Sequence, residues 1–210
     1  MTDLGTLARG TISYGKSINS SGQVAGNSST NGSLDNHAFL YSNGTMTDLG
    51  TLGGTTSFAW SINDSGQVVG WSAAANGYEH AFLYSNGTMT NLGIGLTYSQ
   101  AYAINNRGQI VGTSDGDAFL YSNGVATDLN RLAQPSWGEY GYFTLATGIN
   151  DSGQIIAIDN YHHAYLLTPD TPAVPEPSTA VLLGIGAATL VAYARRAKRW
   201  IGPSRRCLRI

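Results

Sequence analysis

The chain has 210 residues, of which 42% are hydrophobic and only 11% are charged. This composition excludes a disordered chain and argues against a coiled coil, which would need far more charge. All thirteen acidic residues and only four basic ones lie in residues 1–194, whose net charge of −9 repels phosphate backbones, so no nucleic-acid partner is expected.

Three motifs recur in a fixed order and divide residues 1–168 into four units. The first, Met-Thr-Asp-Leu-Gly-Thr-Leu, occupies residues 1–7 and 46–52, with weaker copies at Met89 and Ala126. The second, Ile-Asn-x-x-Gly-Gln, begins at Ile18, Ile62, Ile104 and Ile149. The third, His-Ala-Phe-Leu-Tyr and its variants, begins at His37, His80, Asp117 and His163. The units span about residues 8–52, 53–93, 94–130 and 131–168, with residues 1–7 preceding them.

Each unit is predicted to contain four short strands, a to d. In unit two these are residues 58–63, 66–71, 80–85 and 89–93. The Asn-x-x-Gly between strands a and b is typical of a type I turn, and the Asn-Gly between c and d predicts a tight hairpin. The predicted unit is therefore a four-stranded antiparallel meander.

Apolar residues fill four successive positions of strand c, as in residues 81–84. An uninterrupted apolar run predicts a strand that is covered on both faces, as in stacked sheets. Strand a carries Gly, Ala or Ser at alternate positions, and we expect these small side chains where sheets crowd at an axis. The inward positions are therefore expected to be mostly small.

The predicted fold is all-β, a β-propeller-like array of four four-stranded blades. Unit four lacks a strand d, so the N-terminal strand, residues 1–7, is expected to complete the last blade and close the ring. Two alternatives remain open, an open β-solenoid and a fragment of a larger propeller.

The repeated Ile-Asn-x-x-Gly-Gln, His-Ala-Phe-Leu-Tyr and Met-Thr-Asp-Leu-Gly-Thr-Leu-Gly-Gly motifs resemble those of the HAF family of extracellular bacterial repeats. The resemblance covers residues 1–168, although unit three has Asp117 in place of His and unit four has Tyr165 in place of Phe. It implies an extracellular location and a repeat architecture, and it brings no established catalytic residues.

Residues 180–194 contain no charged side chain and are followed by seven basic residues. With flanking residues and snorkelling Arg and Lys side chains, this segment is long enough for a transmembrane helix. The positive-inside rule places the C-terminus in the cytoplasm. The tail therefore divides into a Pro-rich linker (169–179), a transmembrane helix with a basic stop (180–199) and a cytoplasmic end (200–210).

This tail resembles a PEP-CTERM sorting signal. The resemblance rests on Val174, Pro175, Glu176 and Pro177, followed by the apolar helix and by Arg195 and Arg196. It implies a membrane-anchored precursor, processing by an exosortase, and release or transfer to the surface of a bacterium that makes exopolysaccharide and biofilm. No signal peptide follows Met1, so we expect either a start codon assigned too late, inside a repeat, or a truncated gene.

No metal site, cofactor or catalytic residue is predicted. His37, His80 and His163 occupy one place in different units, which favours a structural role, and the turns that contain Asp64 and Asp115 have too few oxygen ligands for calcium. The a–b and c–d turns are nearly invariant, whereas the loops at the opposite end vary. The longest of these loops, residues 131–143, supplies the candidate ligand-binding residues, Trp137, Tyr140 and Tyr142, whose rings can stack on sugars. The alternative is that these aromatic side chains cap the last gap of the ring.

The sequence thus predicts an exported cell-surface or matrix repeat protein that is a non-enzymatic binding or structural module. Its predicted partners are an exosortase, the membrane through residues 180–194 before processing, and exopolysaccharide. The alternative is a propeller enzyme that acts on extracellular polysaccharide.

Overall fold

The computed structural model describes residues 1–30, 35–133 and 141–169. These residues form fifteen strands and one short helix, which was not predicted. No helix in these three ranges has the length and apolar character needed to cross a bilayer. The predicted transmembrane helix, the cytoplasmic end and the linker after Pro169 lie outside the described residues.

The strands form four antiparallel sheets, one for each sequence unit. Unit one contains β1 (Ser13–Ile18), β2 (Val24–Ser29), β3 (Asn36–Ser42) and β4 (Thr45–Asp48). Unit two contains β5 (Gly53–Ile62), β6 (Val68–Ala74), β7 (Glu79–Ser85) and β8 (Thr88–Asn91). Unit three contains β9 (Ser99–Ile104), β10 (Ile110–Ser114), β11 (Asp117–Ser122) and β12 (Val125–Asp128), followed by α1 (Leu129–Ala133). Unit four contains β13 (Phe143–Ile149), β14 (Ile155–Asp159) and β15 (Ala164–Leu167).

Every sheet is a meander in which sequential strands pair, which confirms the predicted strand order. In the a–b turn of unit one, the Gly22 amide donates to the Asn19 carbonyl at 3.0 Å, and Gly22 has a φ of 76°. In the c–d hairpin, Asn43 and Gly44 have φ values of 51° and 82°. Two positive φ values match the right-handed twist of the flanking strands, so the Asn-Gly signal was a correct predictor.

The predicted closing strand is absent from the described residues. Residues 1–12 contain no strand, and β13, β14 and β15 make a sheet of three strands. The N-terminal segment is held by its own unit instead, because the Leu7 amide donates to the Ser28 hydroxyl at 2.9 Å. The Leu52 amide makes the same bond to Ser72 in unit two, also at 2.9 Å. The prediction that residues 1–7 complete the last sheet is therefore wrong for this structure.

Successive sheets pack face to face, and the core lies between them. We call the face toward the following unit the front face and the face toward the preceding unit the back face. In unit two, the front face contributes Val69 and Ala81 to a core shared with unit three, whereas the back face contributes Ala59 and Phe82 to one shared with unit one. Alternate residues of strand c therefore enter two different cores, which confirms the prediction that both of its faces are covered.

The innermost strands follow the same order, with β1 on β5, β5 on β9 and β9 on β13. The small residues of strand a lie in these contacts, since Ala59, Ala101 and Ala146 are completely buried. No comparable packing joins β13 to β1 in the described part of the chain. The four units therefore form an array whose first and last faces do not meet.

Strand b approaches strand a closely at one glycine. A Cβ on Gly70 would lie 1.8 Å from the Phe58 carbonyl oxygen, and Gly26 and Gly112 are equally confined by Tyr14 and Gln100. Unit four has Ala157 at this place, and the pairing of β13 with β14 has an additional irregularity between Phe143 and Leu145. The glycine is thus required by close backbone approach and not by φ.

Candidate functional site

The asparagines of the a–b turns form a hydrogen-bond ladder that links all four units. The side-chain Nδ2 of Asn19 donates to the Asn63 carbonyl at 3.1 Å, Asn63 donates likewise to Asn105 at 3.1 Å, and Asn105 donates to Asn150 at 2.9 Å. Each Oδ1 also accepts two amide protons from its own turn. One side chain therefore closes a turn and fixes the position of the next unit.

A second ladder runs through the residue after each asparagine. The Ser20 amide donates to Asp64 Oδ1 at 2.9 Å, the Asp64 amide to Asn106 Oδ1 at 2.8 Å, and the Asn106 amide to Asp151 Oδ1 at 2.8 Å. Hydrogen bonds from Ser20, and a smaller one from Asn106, lower the pKa of Asp64 despite some desolvation. The Asp64 carboxylate therefore has a structural role in the packing of successive units.

These turns together surround one polar depression of about 320 Å³. Its lining comes from all four units: Ile18, Asn19, Ser20, Ile62, Asn63, Asp64, Ile104, Asn105, Asn106, Ile149, Asn150 and Asp151. The invariant turns of the sequence thus mark the common centre of the array at one end.

A β-bulge interrupts the innermost strand of every unit at the same position. A bulge leaves one extra residue without a ladder partner and re-aims its side chain. The extra residues are Lys16, Trp60, Tyr102 and Thr147. The small residues of strand a pack between sheets, whereas the bulged residues differ from unit to unit.

Three of these side chains meet across unit boundaries, and together with Tyr14 we call them the bulge cluster. The Lys16 ammonium lies 5.1 Å from the centre of the Trp60 ring and 5.8 Å from that of Tyr14. The Trp60 and Tyr102 rings have centroids 6.0 Å apart. Lys16 therefore makes a cation–π contact, a geometry worth about 0.5–1 kcal/mol at exposed sites.

Polar groups extend the bulge cluster toward the variable end of units two and three. The Tyr102 hydroxyl donates to Gln100 Oε1 at 2.7 Å, and Gln100 Nε2 donates to Glu79 Oε2 at 3.0 Å. Desolvation, followed by the neighbouring Tyr98 and Glu79, raises the pKa of Tyr102 to about 12. The Tyr102 hydroxyl acts as a donor in this hydrogen bond.

The Trp60 indole carries an unmet donor. Its Nε1 is buried and, within the described part of the chain, has no hydrogen-bond partner. Buried polar atoms are normally paired, and an unpaired one calls for an explanation such as a bound water or ligand. Nearby, the Phe58 and Trp71 rings stack with centroids 4.7 Å apart. Three aromatic rings and an N–H donor without an acceptor thus lie in the same part of unit two.

The candidate ligand-binding residues from the long insertion are only partly described. Tyr142 is 45% exposed just before β13, whereas Trp137 and Tyr140 lie outside the described residues. Phe143, from the same insertion, is 1% exposed and packs edge-on against Tyr165 at 5.6 Å. The six sorting-signal residues, Val174, Pro175, Glu176, Pro177, Arg195 and Arg196, also lie outside.

Two of the recurrent histidines, His37 and His163, have local partners, and the third, His80, is buried. His37 Nδ1 lies 2.8 Å from Asp48 Oδ2, which joins strand c to strand d of one sheet. His163 donates its amide to Asp159 Oδ1 at 2.8 Å. In unit three, desolvation first and then the charges of Asp128 and Asp115 raise the pKa of Asp117. No group of metal-ligating side chains occurs among the described residues.

The sequence carries one signal for the bulge cluster. Lys16, Trp60, Tyr102 and Thr147 each stand two residues before the Ile-Asn motif. In repeats that are otherwise alike, one position with four dissimilar side chains indicates a place that the fold leaves free. The bulge itself is what turns this position toward the centre, and the motif does not reveal it.

Comparison with known proteins identifies the tail. Residues 173–199 match the family model described as the PEP-CTERM protein-sorting motif. No curated protein matches the chain, so the resemblance of residues 1–168 to HAF repeats stays a prediction. Among solved structures, the chain is similar to TolB from Acinetobacter baumannii, with 15% identity and a TM-score of 0.43, over 76% of this chain and 42% of that one. The chain thus spans less than half the length of that structure. The sorting motif implies an exported, membrane-anchored precursor that is processed by exosortase.

Proposed function

We propose that this chain is an exported surface or matrix protein whose repeat domain is a propeller-like, non-enzymatic module that binds extracellular polysaccharide. The bulge cluster is the observation that carries the proposal, because it brings rings from three units together at one place. Export and exosortase processing follow from the sorting motif at residues 173–199.

The propeller-like arrangement is supported by the asparagine turns. All four turns border one depression, and the hydrogen bonds between them run in one direction from unit to unit. Units stacked along a straight solenoid axis would place their turns in a line and not around a shared centre. The arrangement therefore favours a propeller or an arc of one over the solenoid alternative.

Polysaccharide binding is supported by the chemistry of the bulge cluster. Tyr and Trp rings offer apolar faces for sugar rings and polar edges for sugar hydroxyls. Gln100 and Glu79 supply further hydrogen-bonding groups close by. Because residues 1–194 carry a net charge of −9, we expect a neutral polysaccharide to be preferred over a polyanion.

Binding is tested by affinity electrophoresis of the full chain, in mild detergent, through gels that contain neutral glucan or acidic alginate. We expect glucan to retard the chain and Tyr14→Ala to weaken this retardation about tenfold, since the ring is 58% exposed and rests beside Lys16. Trp60→Ala should weaken it at least as much.

Tyr161→Ala is the matched control, because Tyr161 is 57% exposed and lies outside the bulge cluster. Equal retardation of all four proteins would contradict the site, and the Trp137→Ala, Tyr140→Ala and Tyr142→Ala variants then test the insertion. Shortening of the glucan during incubation would favour the enzyme alternative instead.

Sorting is tested on the basic residues within the matched motif. Replacing Arg195 and Arg196 together by alanine is expected to abolish most processing, because these residues follow the apolar segment and mark its cytoplasmic end. The measurement is the fraction of shortened chain, by immunoblot, in a host with an exosortase. The double alanine variant of Arg205 and Arg206 removes the same charge outside residues 173–199. An equal loss of processing in that control would mean that only total tail charge matters.

A further inference from the structure

The front face of unit four is an apolar sheet face without a partner. Ile156 is 49% exposed and Leu166 is 65% exposed, and Ala164 beside them is exposed as well. The residues that correspond to Ile156 and Ala164 in the other units are completely buried: Ala25, Val69 and Val111, and Ala38, Ala81 and Ala118. The difference arises because units one to three are each covered by the next unit.

The back face of unit one shows the reciprocal exposure. Ile18 is 68% exposed, whereas Ile62 and Ile104 are each 6% exposed at the same place. Gly15 is exposed too, and its counterparts Ala59 and Ala101 are completely buried. One end of the array therefore presents an uncovered front face and the other end an uncovered back face.

The asparagine ladder ends in complementary hydrogen-bonding groups at these two faces. Asn150 is exposed, and its Nδ2 makes no bond to another unit in the described structure, whereas Asn19, Asn63 and Asn105 are buried and all donate onward. At the other end, no described side chain donates to the Asn19 carbonyl in the way that Asn19 donates to Asn63. Unit four therefore ends in a donor and unit one in an acceptor.

We infer that two copies of this chain associate head to tail, with unit four of each copy packed on unit one of the other, to form a closed ring of eight units. The contact would repeat an interface that the chain already makes three times, between the same faces and with the same ladder. Unit one of the same chain does not fill this place, since within the described residues β13 and β1 make no packing like that between successive units. A closed pair with twofold symmetry leaves neither face exposed and is the commonest form of homo-oligomer.

The mass of the full chain in mild detergent, from light scattering corrected for bound detergent, tests the inference. We expect a dimer, and we expect Ile156→Glu and Ile18→Glu each to give a monomer, because either change puts a charge into both contacts of the ring. Val125→Glu is the control, since Val125 is 62% exposed on a hairpin outside both faces. A monomeric wild-type chain, or masses above the dimer, would overturn the inference.

Mixing the two variants separates a head-to-tail contact from a symmetric one. In an equimolar mixture of Ile156→Glu and Ile18→Glu, one contact of a mixed dimer joins two unaltered faces, so part of the dimer should return. A dimer that Ile18→Glu leaves intact would instead show that unit four packs on unit four, and the inference would fail.

A disulfide trap tests the register of the contact. Within the chain, the Asn106 amide lies 2.8 Å from Asp151 Oδ1, so the same ladder should bring Asp151 of one copy beside Ser20 of the other. Ser20→Cys combined with Asp151→Cys, in a Cys207→Ser background, should give a disulfide-linked dimer on a non-reducing gel. Each single cysteine variant is the control. A crosslink found only within monomers would mean that the chain closes on itself and would refute the two-copy ring.

Discussion

Replacing Phe82 by alanine is expected to lower the free energy of unfolding by about 3–5 kcal/mol. The Phe82 side chain is completely buried in the core between units one and two, where it packs with Ala25, Ala38 and Val68. Removing the ring leaves a cavity in the contact that joins the two units. Because repeat arrays are stabilised by contacts between neighbours, we expect unit one to unfold separately in this variant.

Urea unfolding of the full chain in mild detergent, followed by tryptophan fluorescence, measures this loss. Tyr161→Ala is the matched control, because it also removes an aromatic ring but from a site that is 57% exposed. Its cost should stay within about 0.5 kcal/mol. Similar losses in both variants would contradict the assignment of Phe82 to the core between units.

Replacing Asn63 by alanine is expected to lower the free energy of unfolding by about 3 kcal/mol. Its side chain is 3% exposed, accepts the amide protons of Ser65 and Gln67, and donates to the Asn105 carbonyl. Alanine would leave these groups unpaired, and each buried polar group without a partner costs about 1–3 kcal/mol. The variant should therefore weaken the a–b turn of unit two and its contact with unit three together.

Asn150→Ala separates the weakening of the turn from the weakening of the contact between units. Asn150 makes the same bonds within its own turn, but it is exposed and donates to no following unit in the described chain. We expect a cost of about 1 kcal/mol, and both variants should be measured in the Ile156→Glu background to exclude self-association. Equal losses of unfolding free energy in Asn63→Ala and Asn150→Ala would mean that the hydrogen-bond ladder does not stabilise the contact between units.

The elements of each unit were predictable because their signals are local. Asn43 and Gly44 specify a hairpin by their tolerance of positive φ, and the uninterrupted apolar run of residues 81–84 predicts that both faces of strand c are buried. Such signals act over a few residues and need no knowledge of the rest of the fold. The strand order of all four sheets followed from them.

Whether residues 1–7 form a strand could not be predicted from such local signals. Residues 1–7 repeat a sequence that leads from strand d into the next unit, and the second copy contains strand β4 followed by Leu52. The first copy has no neighbouring strand c to pair with, and it is held by hydrogen bonds from the Leu7 amide to Ser28 and from the Ser13 hydroxyl to the Gly5 carbonyl. A strand needs a partner for its backbone groups, and the motif does not supply one.

The candidate residues Trp137, Tyr140 and Tyr142 stay a prediction, and the bulge cluster is a second candidate that aromatic content alone did not reveal. Aromatic content singled out residues 131–143, yet Phe143 is a core side chain that packs on Tyr165. The bulge cluster instead draws Lys16, Trp60 and Tyr102 from three units that are distant in the chain. Their proximity depends on where each strand is bulged and how successive sheets are rotated.

The sequence by itself determined the four repeats, their strands and turns, the two-sided burial of strand c and the sorting motif at residues 173–199. Only the tertiary structure decided that Asn19, Asn63 and Asn105 link the units, that the bulged side chains converge, and that Ile18 and Ile156 remain uncovered. The first group depends on short-range backbone preferences and hydrophobic periodicity. The second depends on packing between units about forty residues apart, which no local pattern encodes.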